Sequence, residues 1–282
     1  MGNKCCNFDF LFSIDLEDIR LRLSQPDKYK ARVPENTYKY LEWLNFNKQK
    51  CTFFVTGNVA NLYPTLIGEI VSEGHEIACH SDKHIPIDRL TVDEFKKDLD
   101  NNMHALAKAG VAKIKGYRAP VFSITSERKW VYDILSEFGF TYSSSVLPAK
   151  NPLYGWDDFG CLPKQINNKI FEIPITVEKF GPISVPVAGG VYFRLLPFFF
   201  IKSITKGFKK DPRPIVGYFH PYDIDTGQEK FMHPDINGNH FFNFLLYYNR
   251  GKVFERLNYF LGHGFNICTY SGFVKNNLKH EI

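Results

Sequence analysis

The sequence predicts an α/β fold with a parallel sheet or barrel, on three observations. Strand-like and helix-like segments alternate at βα spacing through the first half of the chain. The first strand-like run, 8–14, is continuously apolar and aromatic apart from one Asp, as in strands covered on both faces. Asp15, His80 and Arg118 each fall at the end of such a run, where barrels and open α/β sheets keep their chemistry.

Taken in order, 8–14 (FDFLFSI) reads as a buried parallel strand ending in Asp15-Leu16-Glu17-Asp18. Those carboxylates suit a site at a strand end, or an acidic helix cap. Residues 36–50 form an amphipathic helix capped by Asn or Thr, and 51–57 a β-branched, aromatic strand closing on Gly57. The stretch 58–73 is helical with Gly74 as its C-cap. A strand over Glu76–Cys79 then runs into His80. Helices over 91–110 and 126–139 flank a short strand at 115–119, and Tyr142 to Ser145 follow the second helix.

Beyond 149 the pattern becomes rich in Pro, Gly and short strands. Residues 170–175 are a strand, and 185–190 a turn-rich loop. The block 191–200 (VYFRLLPFFF) is strongly aromatic and leads into the basic segment 202–210. Residues 214–219 form a strand ending in His220-Pro221-Tyr222-Asp223, 240–248 is aromatic again, 252–262 is helical, and 264–270 is a last strand. No internal repeat or linker interrupts the chain, so one domain over 1–282 is the simplest organisation.

A length of 282 residues and a hydrophobic share of 44% allow a large core and argue against disorder. A net charge of +5 with scattered basic residues is no nucleic-acid footprint. The 16% aromatic share can fill a core, stack on sugar rings or meet a membrane interface. The six cysteines show no CxxC pair and read as reduced thiols of a cytoplasmic protein. No apolar signal region opens the chain, and no run of 18 apolar residues exists. The start, Met1-Gly2-Asn3-Lys4-Cys5-Cys6, only faintly matches an acylation signal, with Cys6 where Ser or Thr is required.

His80 and His84 are the pair most suggestive of chemistry. If the backbone turned helically there, spacing i and i+4 would put both imidazoles on one face, where they can grip a divalent cation. His75 and His263, beside Gly-rich turns, read as structural.

Ser13-Ile14-Asp15-Leu16-Glu17-Asp18, Thr52-Phe53-Phe54, Gly74-His75-Glu76-Ile77 with His80 and His84, Arg118-Ala119-Pro120 and His220 occur in that order. As a set they resemble the polysaccharide deacetylase family (NodB-homology, carbohydrate esterase 4). Tyr142 to Pro148, Pro186 to Pro197 and Phe219 to Asp225 resemble a subgroup linked to exopolysaccharide and surface-glycan synthesis. The resemblance implies a distorted (β/α)7-type barrel and metal-dependent hydrolysis of an N-acetyl group from a sugar. It implies a divalent metal, Zn2+ first with Co2+, Ni2+ or Fe2+ as alternatives, on His80, His84 and a carboxylate. The first motif lacks the family's adjacent aspartates, so that carboxylate is Asp18 or else Glu17.

In the same terms Asp15 is the general base, Arg118 its orienting partner and His220 the general acid. Pro120, Tyr142 and Tyr222 are the substrate contacts. The expected substrate is an N-acetylated saccharide carried on a nucleotide or lipid in the cytoplasm, with no nucleic-acid partner and no expectation about oligomeric state. The aromatic block beside Lys202, Lys206, Lys209 and Lys210 adds a further expectation, contact with anionic lipid at the inner membrane face, against a packed core with a solvated basic end. A deformylase or a ureide/imide hydrolase on the same fold is the alternative enzyme, and a non-catalytic glycan-binding module the alternative class.

Overall fold

The computed structural model describes residues 8–151, 154–181, 183–208, 210–211 and 213–278. The chain runs β1 (Phe8–Leu16), α1 (Val33–Phe46), β2 (Thr52–Val55), α2 (Gly57–Leu62), α3 (Pro64–Ser72), β3 (Glu76–Cys79), α4 (Val92–Lys108), β4 (Gly116–Tyr117), α5 (Trp130–Glu137) and β5 (Tyr142–Ser143). Then come β6 (Lys164–Ile166), β7 (Ile170–Glu172), β8 (Val177–Phe180), β9 (Ile183–Pro186), α6 (Gly190–Leu195), α7 (Phe198–Phe208), β10 (Ile215–Phe219), α8 (His240–Tyr247), α9 (Val253–Gly262), β11 (Phe265–Ile267) and α10 (Tyr270–Phe273).

Nine strands form one sheet in the order β10-β1-β2-β3-β4-β5-β7-β6, with β11 also pairing β1. Pairing is parallel throughout except at β6–β7. The expected barrel is a curled half-barrel among the described strands, with β10 at one end and β6 at the other. The 185–190 loop is a correction. Its first residues belong to β9, which forms a separate hairpin with β8, and its last opens α6. The 58–73 helix is two helices, because Pro64 removes a donor and starts a new N-terminus. Cys51, Cys79, Cys161 and Cys268 are free thiols, whereas Cys5, Cys6 and the faint acylation signal lie outside the described residues.

Side-chain parity along β1 sorts the strand into two faces. Phe10, Phe12, Ile14 and Leu16 join the outer core with Tyr40, Leu41, Leu44 and Phe260 from the helices. Leu11 joins Phe54, Ala78, Tyr142, Val216 and Tyr270 in a second core on the inner face. Ser13 and Asp15 share that inner face by the same parity. The register aligns Leu16 with Val55, Val55 with Cys79, Cys79 with Tyr117, Tyr117 with Ser143, and Ile14 with Phe219. One residue beyond the Leu16 level stand His80, Arg118 and Ser144, and one residue beyond the Ile14–Phe219 pair stand Asp15 and His220. Parallel pairing thus lifts Asp15, His80, Arg118, Ser144 and His220 to the carboxyl rim together.

Candidate active site

Asp15, Glu17, His80, His84 and His220 line one cavity at this rim, walled by Val121, Phe122, Leu147, Tyr154, Tyr192, Tyr218 and Tyr222 among others. Its volume, about 200 Å³, suits a small polar group against an aromatic wall.

On one side Asp15 is paired with Arg118, which is completely buried. A guanidinium has five N–H groups, and here five bonds leave it. Besides Asp15 Oδ1, Arg118 donates to Ser13 Oγ (2.7 Å), Tyr270 Oη (2.7 Å), and the Ser144 carbonyl (3.0 Å) and hydroxyl (3.1 Å). The guanidinium carbon sits 3.9 Å from the centre of the Phe54 ring. The arginine is held from every direction, and Asp15 with it.

The histidine pair is set differently from the helical expectation. Residues 80–84 form a loop, with Ser81 at φ 67° and His84 at φ 56°. Left-handed backbone at non-glycine residues costs of order 1 kcal/mol each and persists only when the surroundings hold it. Here α4 holds it. Asn102 donates to the carbonyls of Ser81 (2.7 Å) and Val55 (2.9 Å), while Asp98 Oδ1 accepts from Ser81 Oγ and Asp82 N at 3.1 Å each. Burial pushes the Asp98 carboxyl up to about 6. The loop still brings the rings of His80 and His84 to 4.9 Å between centres.

His80 Nδ1 lies 2.9 Å from the Arg118 carbonyl, which can only accept. Nδ1 therefore carries the hydrogen, and Nε2 holds a lone pair towards the cavity. Burial drives His80 down to about 4 against the opposing pull of Asp15, and drives His84 well below its ordinary value, so both are neutral donors at pH 7. His84 Nε2 is 3.2 Å from Glu17 Oε2, and its buried Nδ1 has no hydrogen-bond partner among the described residues. Two neutral imidazoles and one carboxylate are a donor set that suits a divalent transition metal. Among the described residues no three His, Cys, Asp or Glu side chains are already drawn into a closed cluster, so the fit rests on donor chemistry and pairwise spacing.

Asp18 does not face this cavity. It caps the 3-10 turn Ile19–Arg22, accepting from Arg20 N (3.1 Å), Nε (3.3 Å) and Nη2 (3.0 Å). Glu17 faces the cavity instead, two residues beyond Asp15 and in step with the alternation that turns Ser13 and Asp15 inward. Tyr142 is the second correction. It lies on the inner face but two residues, ~7 Å, below Ser144. It is completely buried, stacks on Tyr270 (5.6 Å) and donates to Glu76 Oε1 (2.9 Å). A Cβ on Gly116 would overlap the Tyr142 ring, so the floor is packed too closely for a substrate contact. Pro120 is buried and absent from the cavity wall, which its successors Val121 and Phe122 supply from a left-handed turn (φ 50° and 56°). Tyr222 does line the cavity.

His220 stands at the end of β10, one residue past the Ile14–Phe219 pair and so on the strand next to Asp15. Its Nε2 is 3.7 Å from Glu17 Oε1, and its Nδ1 donates to Asp223 Oδ2 at 2.9 Å. Tyr222 stacks on the ring at 4.5 Å, and Tyr40 Oη donates to the His220 carbonyl. Burial alone would push His220 down, but Asp223, with Glu17 and Asp15 behind it, outweighs burial and raises it. Asp223 was no candidate from sequence, although His-x-x-Asp can close such a local pair. His75 and His263 lie away from the cavity. His75 is buried and accepts from Cys51 N, while His263 stacks on Tyr259.

Residues 25–143 match the family model for polysaccharide deacetylase. The chain carries a polysaccharide deacetylase domain. That domain holds His80, His84 and Arg118. Asp15 and Glu17 precede it, and His220 falls in residues 144–274, which match a domain of unknown function (DUF3473). Chitin deacetylase 1 of Saccharomyces cerevisiae is 31% identical over 145 residues, half of this chain and 45% of that protein. This chain thus spans less than half the length of that relative. A structure named as a polysaccharide deacetylase of Mycobacterium smegmatis superposes with TM-score 0.68 at 16% identity, covering 100% of this chain and 94% of that one. A family 4 pseudoenzyme of Bacillus anthracis superposes with TM-score 0.52 at 13% identity over 95% of this chain and 65% of that one. At such identities the likeness is one of fold, the curled half-barrel of family 4 carbohydrate esterases. The exposed aromatics outside the deacetylase domain include Phe199 on α7 and Phe241, Phe242 and Phe244 on α8, a helix with no buried residue.

Proposed function

We propose that the chain hydrolyses the N-acetyl amide of a sugar with the help of a divalent metal. One observation carries the reading: a carboxylate locked to a buried arginine and a histidine locked to a buried aspartate face the same cavity across Glu17, His80 and His84. His80, His84 and Glu17 would hold the cation. Bound there, a divalent metal supplies Lewis acidity, lowering the barrier to water attack on a poor electrophile.

The chain's own groups do the rest. Asp15, fixed by Arg118, accepts the proton from the attacking water. His220, bearing its proton on Nε2 towards the cavity, delivers it to the departing amine nitrogen. The products are acetate and the free amino sugar. Tyr154, Tyr192 and Tyr222 offer ring faces and hydroxyls to a saccharide. Intact acid and base machinery favours an enzyme over a glycan-binding module.

Among substrates we favour a saccharide of surface-glycan synthesis carried on a nucleotide or lipid, with zinc as the metal. The test is acetate release by metal-loaded protein from a panel of chitin oligomers, peptidoglycan fragments, UDP-N-acetyl sugars and lipid-linked saccharides. Acetate from none of them would end the reading.

Contact with anionic lipid is a second part of the proposal. The exposed side of α7 presents Phe199, Lys202 and Lys206, with Lys210 just beyond, while Phe193, Ile201 and Phe208 pack inward. Lys209 lies outside the described residues. Vesicles containing phosphatidylserine should co-float the protein, and K202A/K206A/K210A should reduce that flotation. Equal flotation of both proteins would remove the lysines from the account.

A further inference from the structure

Arg194, completely buried in the second half of the chain, has no part in the reaction as proposed so far. It lies on α6, and its placement begins with Gly189-Gly190. A Cβ on Gly189 would fall 2.3 Å from the Tyr218 carbonyl oxygen, and Gly190 adopts φ 55° against the Tyr218 ring. Only a glycine pair lets α6 approach β10 so closely. One turn on, Arg194 is completely buried beneath the end of β10. Its Nη1 donates to the carbonyls of Leu246 (3.0 Å) and Tyr248 (2.7 Å) at the C-terminal end of α8, where a cation is favoured. Asn249 returns a bond to the Arg194 carbonyl at 3.2 Å.

Nη2 lies 2.9 Å from Asp223 Oδ1, and both side chains are fully buried. The other oxygen of Asp223 accepts from His220 N (2.8 Å) and His220 Nδ1 (2.9 Å). The three side chains form one line from α6 to the cavity. Without Arg194, Asp223 would keep only its bonds from His220, and its buried Oδ1 would lose the charge that faces it, leaving the carboxylate free to rotate.

We propose that Arg194 is a positioning residue for His220: by its buried ion pair with Asp223 Oδ1 it keeps Oδ2 on Nδ1 and so points Nε2 into the cavity. The proposal rests on the acid role of His220 given above.

The test uses the full chain, metal-loaded, as R194M, R194K, D223N and R194M/D223N, with an N-acetylglucosamine oligomer as probe substrate. R194M should lower kcat about 30–100-fold with KM within about twofold, R194K should recover part of that loss, and R194M should cost almost nothing more in the D223N background. Separate losses that multiply in the double variant, or R194M and R194K that both keep kcat within about threefold, would overturn it. If R194M does not fold, R194K and the double variant, which removes both charges together, still decide.

A second readout needs no turnover. Imidazole nitrogen NMR, at a pH where His220 has given up its Nε2 proton, should show the remaining proton on Nδ1 in the wild type and shared between the two nitrogens in R194M. An unchanged spectrum would overturn the proposal. A wild type that releases no acetate from any substrate would sink the proposed reaction, while the spectra would still judge the Arg194 contact.

Discussion

Two buried arginines anchor the two sides of the cavity, and they do it differently. Arg118 touches a cavity carboxylate directly and spends all five N–H groups on the inner face of the sheet. Arg194 stands one residue further back, split between two backbone carbonyls and Asp223. The first is delivered by strand parity and the second by a helix wedged against β10 through two glycines. The base side is therefore as rigid as the sheet, whereas the acid side is as rigid as the packing of α6 and α8.

The largest effect should come from the group Arg118 holds. D15N keeps the shape and removes the proton acceptor, so acetate release should fall by about 10³-fold with fold and metal content intact. Retained turnover would break the assignment. R118M should cost about 3–5 kcal/mol of stability, read by denaturant titration, because it strands Asp15 and leaves buried acceptors unpaired. A cost below about 1 kcal/mol would mean that the arginine cage is far weaker than its five bonds imply. E17Q should lose bound metal by elemental analysis, while D18N should change metal content and rate by less than about twofold. Metal loss in D18N with retention in E17Q would reverse the ligand choice.

The smallest expected effect lies away from the cavity. Burial lowers His75 to about 4 in the folded state, below the ordinary 6.5. The unfolded chain then binds the proton first as pH falls, so stability present above pH 6.5 drains as pH drops towards 4. The loss should reach about 1–3 kcal/mol by thermal or denaturant unfolding, and H75Q should flatten that part of the profile. Identical profiles for both proteins would show that His75 does not carry it.

What was legible in the sequence follows the same division. Asp15, His80, Arg118 and His220 end apolar runs, and parallel pairing keeps strand ends level, so their convergence could be read from pattern. Asp18 is out of step with the strand: the alternation that turns Asp15 inward also turns Glu17 inward, and Asp18 caps the next turn. Tyr142 misled because parity gives the face but not the depth. The histidine spacing suggested a helix, yet the loop is held open by Asp98 and Asn102, which lie 16 to 21 residues further along the chain than the loop groups they bond. Arg194 was invisible, since an arginine inside an aromatic block carries no signal of burial. Gly189-Gly190 was the available clue, a place where another backbone had to come close.

The strand β1 pairs with β2 and also with β10 and β11. Ser13 on β1 donates to the Gly217 carbonyl, 204 positions later. During synthesis β1 must therefore wait for β10. A nascent chain that has emerged only as far as β5 has His80, His84 and Arg118 but neither His220 nor the neighbour that covers one edge of β1. Loop closure over that span is slow, and the exposed edge is a hazard in the interval. Hydrolytic competence would then arrive as a single late event, when β10 docks, and a chain truncated before that point would be an aggregation-prone intermediate lacking half of its proton-transfer pair.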